Sequence, residues 1–334
     1  MRLPEKRALT LSIEMQDNTT KQPVLSICIS TYNREHSLRQ LLESIIAQKG
    51  FREDTVEICI VNDPSQNPDD NTVWMVGEFQ EKYKNIVFHR NTVRAGMIPS
   101  ILQVAQMWTG QYVWLFSDDD IMHPQTISIM LDTIKNHNPW LILNKFLGFE
   151  WDTIPFDDIA VRDWSTIPLR GMEELFEYFS AIDYSIDGYM MHCSLFCFRR
   201  DIFTTNLQSL LTQYGASYID ILKKDYFWHV RIIYVPFWNT EKIVILEKNL
   251  VLLRGGNISW SFIFKVCTDY RDLIQDLKKN YKIPNKTYVR MKVLYYYSVF
   301  TFLVIVHLQK YIPKKIYTFC VELWKKIVRI IKIG

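Results

Sequence analysis

Residues 112–124 read YVWLFSDDDIMHP. Five residues of strong strand preference, Tyr112 to Phe116, run straight into Ser117 and three aspartates, and Pro124 follows. Three adjacent carboxylates repel one another at neutral pH. Such a cluster settles when one carboxyl keeps a proton or when a cation sits among them. The stretch therefore reads either as a solvated turn or as a cation site, and the neighbouring segments decide between the two.

Upstream, VLSICIS (24–30) is a continuous apolar run, the mark of a strand buried on both faces. In EHSLRQLLESIIAQ (35–48), Leu38, Leu41, Leu42, Ile45 and Ile46 share one helical face. VEICIVND (56–63) repeats the buried-strand pattern and ends in an acid. A polar loop, PSQNPDDN, leads to a predicted helix over 72–84, and NIVFH (85–89) reads as a third strand. Residues 97–108 read as helix, QYVWLF as the fourth strand, 125–136 as helix and WLILNKF (140–146) as strand. This alternation predicts an α/β fold, a doubly wound mixed, mostly parallel sheet flanked by helices. In such sheets ligands bind at the carboxyl ends of the strands. STYNR, NDPS, RNTVRAG and SDDD each follow a strand, so four strands bring polar groups to one edge. That convergence favours a site over a solvated turn.

The chain has 334 residues, room for one large or two modest domains, with no repeat or low-complexity linker. A net charge of +3 gives no basis for a nucleic-acid partner. Cys28 and Cys59 sit in apolar runs, where a thiol acts as a small hydrophobe. Cys193 and Cys197, with His192 beside them, lack the matched spacing of a zinc site. The amino terminus, MRLPEKRALTLSIEMQDN, has no apolar core of a secretory signal, so a reducing, cytosolic compartment is the expectation.

The ordered set SICISTYNR, IVNDPS, RNTVRAG and GQYVWLFSDDD resembles glycosyltransferase family 2, of GT-A fold, over about residues 23–260 and most closely over 24–124. The resemblance implies inverting transfer of a sugar from a nucleotide diphosphate donor to a saccharide or lipid-linked saccharide in surface polysaccharide or glycolipid synthesis. It places Thr31 and Tyr32 along the donor nucleotide. It makes Asp63 the acid that recognises the base, which suits the N–H of uracil and hence a UDP-sugar; Asn62 stands where the family often has a second acid. Asn91, Arg94 and Gly96 fall in the loop after the third strand, with Arg94 suited to phosphate oxygens. The family's small-Arg-Asn element is replaced here by Ile98-Pro99-Ser100.

SDDD resembles the family's Asp-x-Asp motif, which holds Mn2+ or Mg2+ against the donor diphosphate. Diphosphate and carboxylates carry the same sign, and a hard divalent cation between them relieves the repulsion. Asp118 and Asp120 satisfy the spacing literally, whereas alignment on His123-Pro124 stresses Asp119 and Asp120. Asp120 is common to both, and all three acids face the donor on this reading.

An inverting transfer also needs a base at the acceptor hydroxyl. In ASYIDILKKDYFWHVRI (216–232), Asp225 resembles the family's base, with Asp220 the runner-up and Lys224 in place of the usual Glu. Lys223 and Lys224 are expected to keep Asp225 ionised. His192, in GYMMHCSLFCFRRDIF (188–203), and Arg254, in VLLRGGNIS (251–259), are candidate acceptor or diphosphate contacts; the family's late His is absent, and Gly255-Gly256 suggests a loop that closes on the donor.

The expected division is an arm (1–22), a GT-A domain (23–265, its nucleotide-sugar half 23–147 and its acceptor half 148–265) and a helical extension (266–334). Residues 293–309 contain no Lys, Arg, Asp or Glu but fall short of a spanning helix. Beyond Pro313, Ile316, Phe319, Leu323, Ile327, Ile330 and Ile331 share one face while Lys315, Lys325, Lys326, Arg329 and Lys332 lie largely off it. That is a basic amphipathic helix of the kind that lies in a membrane interface. The expectation is a peripheral protein at the cytoplasmic face of the cell membrane, with an interdomain or dimer-forming helix pair as the rival. Two rival functions stand: a non-catalytic GT-A-like scaffold at the membrane, and a nucleotidyltransferase, for which STYNR lacks the glycine loop.

Overall fold

A computed structural model describes residues 22–149, 166–170, 174–175, 178, 192–225, 228–229, 231–232, 242–254, 260–280, 285, 288–289 and 291–292. The expected amino-terminal arm up to residue 21, Gly255-Gly256 and the amphipathic tail beyond 292 lie outside the described residues. No described helix is long and apolar enough to cross a membrane.

The first half follows the predicted alternation. β1 (Leu25–Thr31), α1 (Glu35–Ile46), β2 (Val56–Asn62), α2 (Thr72–Lys82), β3 (Ile86–Arg90), α3 (Met97–Val104) and β4 (Tyr112–Ser117) follow in order. The strands lie as β3-β2-β1-β4, all parallel. Every residue of β2 is buried, which is why its sequence shows no polar alternation. On α1, Leu38, Leu41, Leu42 and Ile45 are fully buried. Ile46 is only partly buried, because it borders a groove between α1 and α2 lined by Arg39, Phe79 and Tyr83.

At the amino-terminal edge of the sheet, Glu57 clamps the α3–β4 connection. It accepts from the Ser26 hydroxyl, from the N–H groups of Thr109 (2.5 Å) and Gly110 (2.9 Å), and from the Thr109 hydroxyl (2.8 Å). A Cβ at Gly110 would stand 2.5 Å from Ser26 Oγ, so only glycine lets the loop approach β1 this closely.

The second half departs from the expectation of a mostly parallel sheet. It contains β5 (Ile121–Met122), α4 (Thr126–His137), β6 (Leu141–Phe149), β7 (Thr166–Arg170), β8 (Phe196–Arg199), α5 (Arg200–Tyr214), α6 (Tyr218–Leu222), β9 (Lys242–Arg254) and α7 (Trp260–Asn280). β8 runs antiparallel to both β4 and β6, and β9 is parallel to β6 but antiparallel to β5 and β7. The parallel part ends at β4. Because β8 is reversed, its amino end lies beside the carboxyl end of β4, with Trp114 opposite Cys197. The 3-10 turn before it, Cys193–Leu195, therefore arrives next to the three aspartates. α7 runs unbroken through residue 265, and its Tyr270, Leu273 and Ile274 join the hydrophobic core.

Candidate active site

In the strand order β3-β2-β1-β4 the connections change direction between β1 and β4, and a crevice opens there at the carboxyl ends. A cavity of 240 Å³ occupies it. Thr31, Tyr32 and Arg34 enter from the end of β1, Asp63 from β2, Arg94 and Ser100 from the β3–α3 segment, and Ser117 and Asp118 from β4. Five predicted site residues thus meet in one cavity: Thr31, Tyr32, Asp63, Arg94 and Asp118.

Asp118, Asp119 and Asp120 are all buried, at 5%, 8% and 4% exposure. Arg34 Nη1 donates to Asp118 Oδ1 at 2.8 Å and to Asp119 Oδ2 at 2.6 Å. The Ser117 hydroxyl donates to Asp119 at 2.6 Å. The Ser194 hydroxyl donates to Asp120 Oδ2 at 2.6 Å while accepting the Ser117 N–H at 2.9 Å. Ser194 is itself held through its carbonyl, which accepts from Trp114 Nε1 at 2.9 Å, and Asn144 grips the next carbonyl, that of Leu195, at 3.0 Å.

Burial pushes the Asp118 carboxyl up to about 6; the Asp119 charge adds to this, and Arg34 and the nearby Thr31 hydroxyl oppose it. The Thr31 hydroxyl is buried and lacks a partner at full hydrogen-bond geometry, so its pull on Asp118 is a weak one. One guanidinium does not neutralise this cluster.

Asp63, predicted as a base contact, is held by donors of the chain itself. Its Oδ1 accepts from Asn91 Nδ2 (2.7 Å) and the Ser100 hydroxyl (3.1 Å), and its Oδ2 from the N–H groups of Ala95 (3.1 Å) and Gly96 (2.7 Å). Gly96 has φ 93°, a conformation that costs other residues strain. Asp63 thus shapes the loop that carries Arg94, whose guanidinium lies 4.0 Å over the Tyr32 ring. Ser100, within the segment that departs from the family pattern, supplies one of the donors.

The remaining predicted residues sit apart. His192 is exposed beside the turn that carries Ser194. Arg254 ends β9, two residues past Leu252, whose partner Ile121 directly follows Asp120; its side chain is outside the described residues. Asp225 is buried at 9% exposure but does not line the cavity. It accepts from Arg231, and Arg231 also donates to Asp276 of α7. Arg231 is thus one cation on Asp225. Lys223, expected beside Asp225, pairs with Asp220 at 3.2 Å.

Sequence reasoning passed over Arg34 and Ser194. Arg34 had a signal: it immediately precedes α1, where the helix dipole disfavours a cation unless an anion faces it. Ser194 had none, because its contact depends on the reversal of β8.

Among the described residues, no three His, Cys, Asp or Glu side chains converge as ligands of a metal ion. The donor set fits a different arrangement. Clustered carboxylate oxygens beside an open cavity suit Mg2+ or Mn2+, which are usually held by one or two carboxylates together with substrate phosphates and water.

A crevice thus opens at the switch point of the parallel strands, with acids and arginines on its walls. Residues 26–203 match glycosyl transferase family 2, and the chain belongs to that family. It is a glycosyltransferase. It is similar to the abequosyltransferase RfbV of Salmonella typhimurium, 27% identical over 245 residues, or 71% of this chain and 68% of the relative. It is also similar to the poly(ribitol-phosphate) beta-glucosyltransferase of Bacillus spizizenii, 26% identical over 161 residues, or 46% of this chain but 25% of the relative. Among solved structures, S. aureus TarS 1-349 shares the fold with a TM-score of 0.58 at 17% identity, covering 87% of this chain and 76% of that one.

Proposed function

We propose that the protein transfers a sugar, with inversion, from a UDP-sugar to a saccharide or lipid-linked saccharide of a surface polysaccharide. The observation that carries the donor site is the run of three buried aspartates whose first member, Asp118, lines the switch-point cavity, with Arg34 as the counter-ion of Asp118 and Asp119. The relatives named for abequosyl transfer and for glucosylation of poly(ribitol-phosphate) support a surface-polymer acceptor. The solved forms of TarS with UDP and with UDP-GlcNAc support the uridine donor.

On this reading the nucleotide lies along Thr31 and Tyr32, and its diphosphate points at Asp118–Asp120. A divalent cation there would neutralise the departing diphosphate as a Lewis acid. Ser194 and Ser117 hold the carboxylates in place, and Arg34 and Arg94 supply positive charge on either side. Asp225 is the proposed base. It takes the acceptor hydroxyl proton as that oxygen attacks the anomeric carbon, while the bond from that carbon to the diphosphate oxygen breaks on the opposite face. To do so Asp225 must share or release Arg231, and Asp276 is placed to receive it. Peripheral attachment to the cytoplasmic membrane face rests on the amphipathic pattern of residues 315–332.

Calorimetric titration with UDP, GDP, CDP and dTDP, with and without Mn2+, tests the donor site. UDP is expected to bind in a Mn2+-dependent way and to lose that binding in Asp120→Ala. A folded protein that binds none of the four would overturn the reading.

A further inference from the structure

The guanidinium of Arg34 occupies the position where a cation would serve the acids. Its Nη1 touches Asp118 and Asp119 at once, yet its side chain remains 35% exposed. Its backbone is fixed, because the Arg34 carbonyl accepts the Leu38 N–H at 3.0 Å and starts α1. The long side chain can therefore swing while its root stays still. It also lines the same cavity as Tyr32, Asp63 and Arg94, so both its present anions and the proposed diphosphate lie within its sweep.

We propose that Arg34 is a resident counter-ion that keeps a divalent cation out of the aspartate cluster until a donor diphosphate arrives, and then turns from the carboxylates to the phosphate oxygens. This inference rests on the donor-site reading above. A divalent cation entering alone must displace the guanidinium from Asp118 and Asp119 and leave it beside two added positive charges. A diphosphate entering alone meets the Asp118 carboxylate, with Asp119 behind the same guanidinium. When both enter, the carboxylates gain the cation and the guanidinium gains phosphate oxygens, which match its planar fork of donors. Binding of either ligand is then favoured by the other, and such coupling is reciprocal. Arg34 is a positioning residue in this scheme: it sets the order of assembly and reaches the donor only after the exchange.

The test reads Mn2+ binding to the full chain by loss of the free-ion EPR signal, with and without UDP, GDP, CDP or dTDP. Wild type, Arg34→Gln and Arg34→Lys are compared, each checked for folding by its melting curve. In wild type the cognate nucleotide is expected to tighten Mn2+ by more than about tenfold. Arg34→Gln is expected to bind Mn2+ alone about tenfold more tightly than wild type and to lose most of the nucleotide enhancement. Arg34→Lys, which keeps the charge but not the fork, is expected to fall between them, and it carries the test if Arg34→Gln does not fold. Mn2+ binding that is no tighter in the variants, with the nucleotide enhancement intact in wild type, would overturn the role of Arg34 and leave the donor site standing. A wild type that takes up no Mn2+ with any of the four nucleotides would overturn the donor site itself.

Discussion

The two ends of the parallel strands carry buried carboxylates in different company. Glu57, near the amino end of β2, accepts from two hydroxyls and two backbone N–H groups. Beyond the carboxyl end of β4, Asp118 and Asp119 share one arginine, Asp119 also accepts from the Ser117 hydroxyl, and Asp120 accepts from the Ser194 hydroxyl. A carboxylate saturated by neutral donors ties loops together and stabilises the fold. Carboxylates crowded against one exchangeable cation store electrostatic repulsion, which a ligand can relieve. The same functional group ties a loop down at one edge and faces an arginine beside a cavity at the other.

The largest expected effect lies at the upper edge. Asp120→Ala should lower transfer from the cognate nucleotide-sugar by at least about 10³-fold, the scale of losing a principal electrostatic group at the reacting centre. Its unfolding midpoint in urea should stay near wild type. A variant that instead unfolds while keeping its activity per folded molecule would erase the distinction between the two edges.

At the lower edge the order of effects reverses. Glu57→Ala removes the shared acceptor of Ser26, Thr109 and Gly110 and should cost about 1–3 kcal/mol of stability, measured by urea unfolding. Transfer per folded molecule should stay within a factor of a few of wild type.

A pH series sharpens the comparison. Asp118 is raised from the usual 3.8 to about 6, so between those values the folded chain holds a proton that the unfolded chain has released. Its contribution to stability is therefore greatest below about pH 4, falls as pH rises, and is gone above about 6, a loss of about 3 kcal/mol for the ligand-free protein. Asp118→Asn should flatten that fall in urea unfolding midpoints taken from pH 4.5 to 7.5. Equal slopes for variant and wild type would show that burial does not hold a proton on Asp118 in the folded chain.

The smallest expected effect concerns the second arginine. Arg94→Ala removes the guanidinium 4.0 Å over Tyr32 and should raise the donor KM about fivefold with kcat little changed. A fall in kcat at constant KM would move Arg94 from nucleotide binding to the transition state.

Much of the donor half was legible in the amino-acid order. Strands buried on both faces must be apolar throughout, so VLSICIS, VEICIVND and YVWLF announce β1, β2 and β4, and their polar tails mark the edge where ligands bind. The loop after β3 was legible too, through Asn91, Arg94 and Gly96. Less was legible where charged groups choose partners. Asp63 read as a base contact, and the fold surrounds it with Asn91, Ala95, Gly96 and Ser100 as well. Asp225 read as an acid beside two lysines, and the fold gives it Arg231, itself shared with Asp276 of a distant helix.

The sequence by itself determined the parallel first half of the sheet, the edge on which its polar residues gather and the three aspartates there. Burial and periodicity are local properties, and each strand and helix carries its own record of them. Only the tertiary structure decided which groups hold those aspartates. Ser194 meets Asp120 across 74 positions in the chain, and Arg34 meets Asp118 across 84. Those contacts follow from the reversal of β8 against β4 and from the placing of β1 beside β4, and strand pairing is a relation between segments that no one segment records.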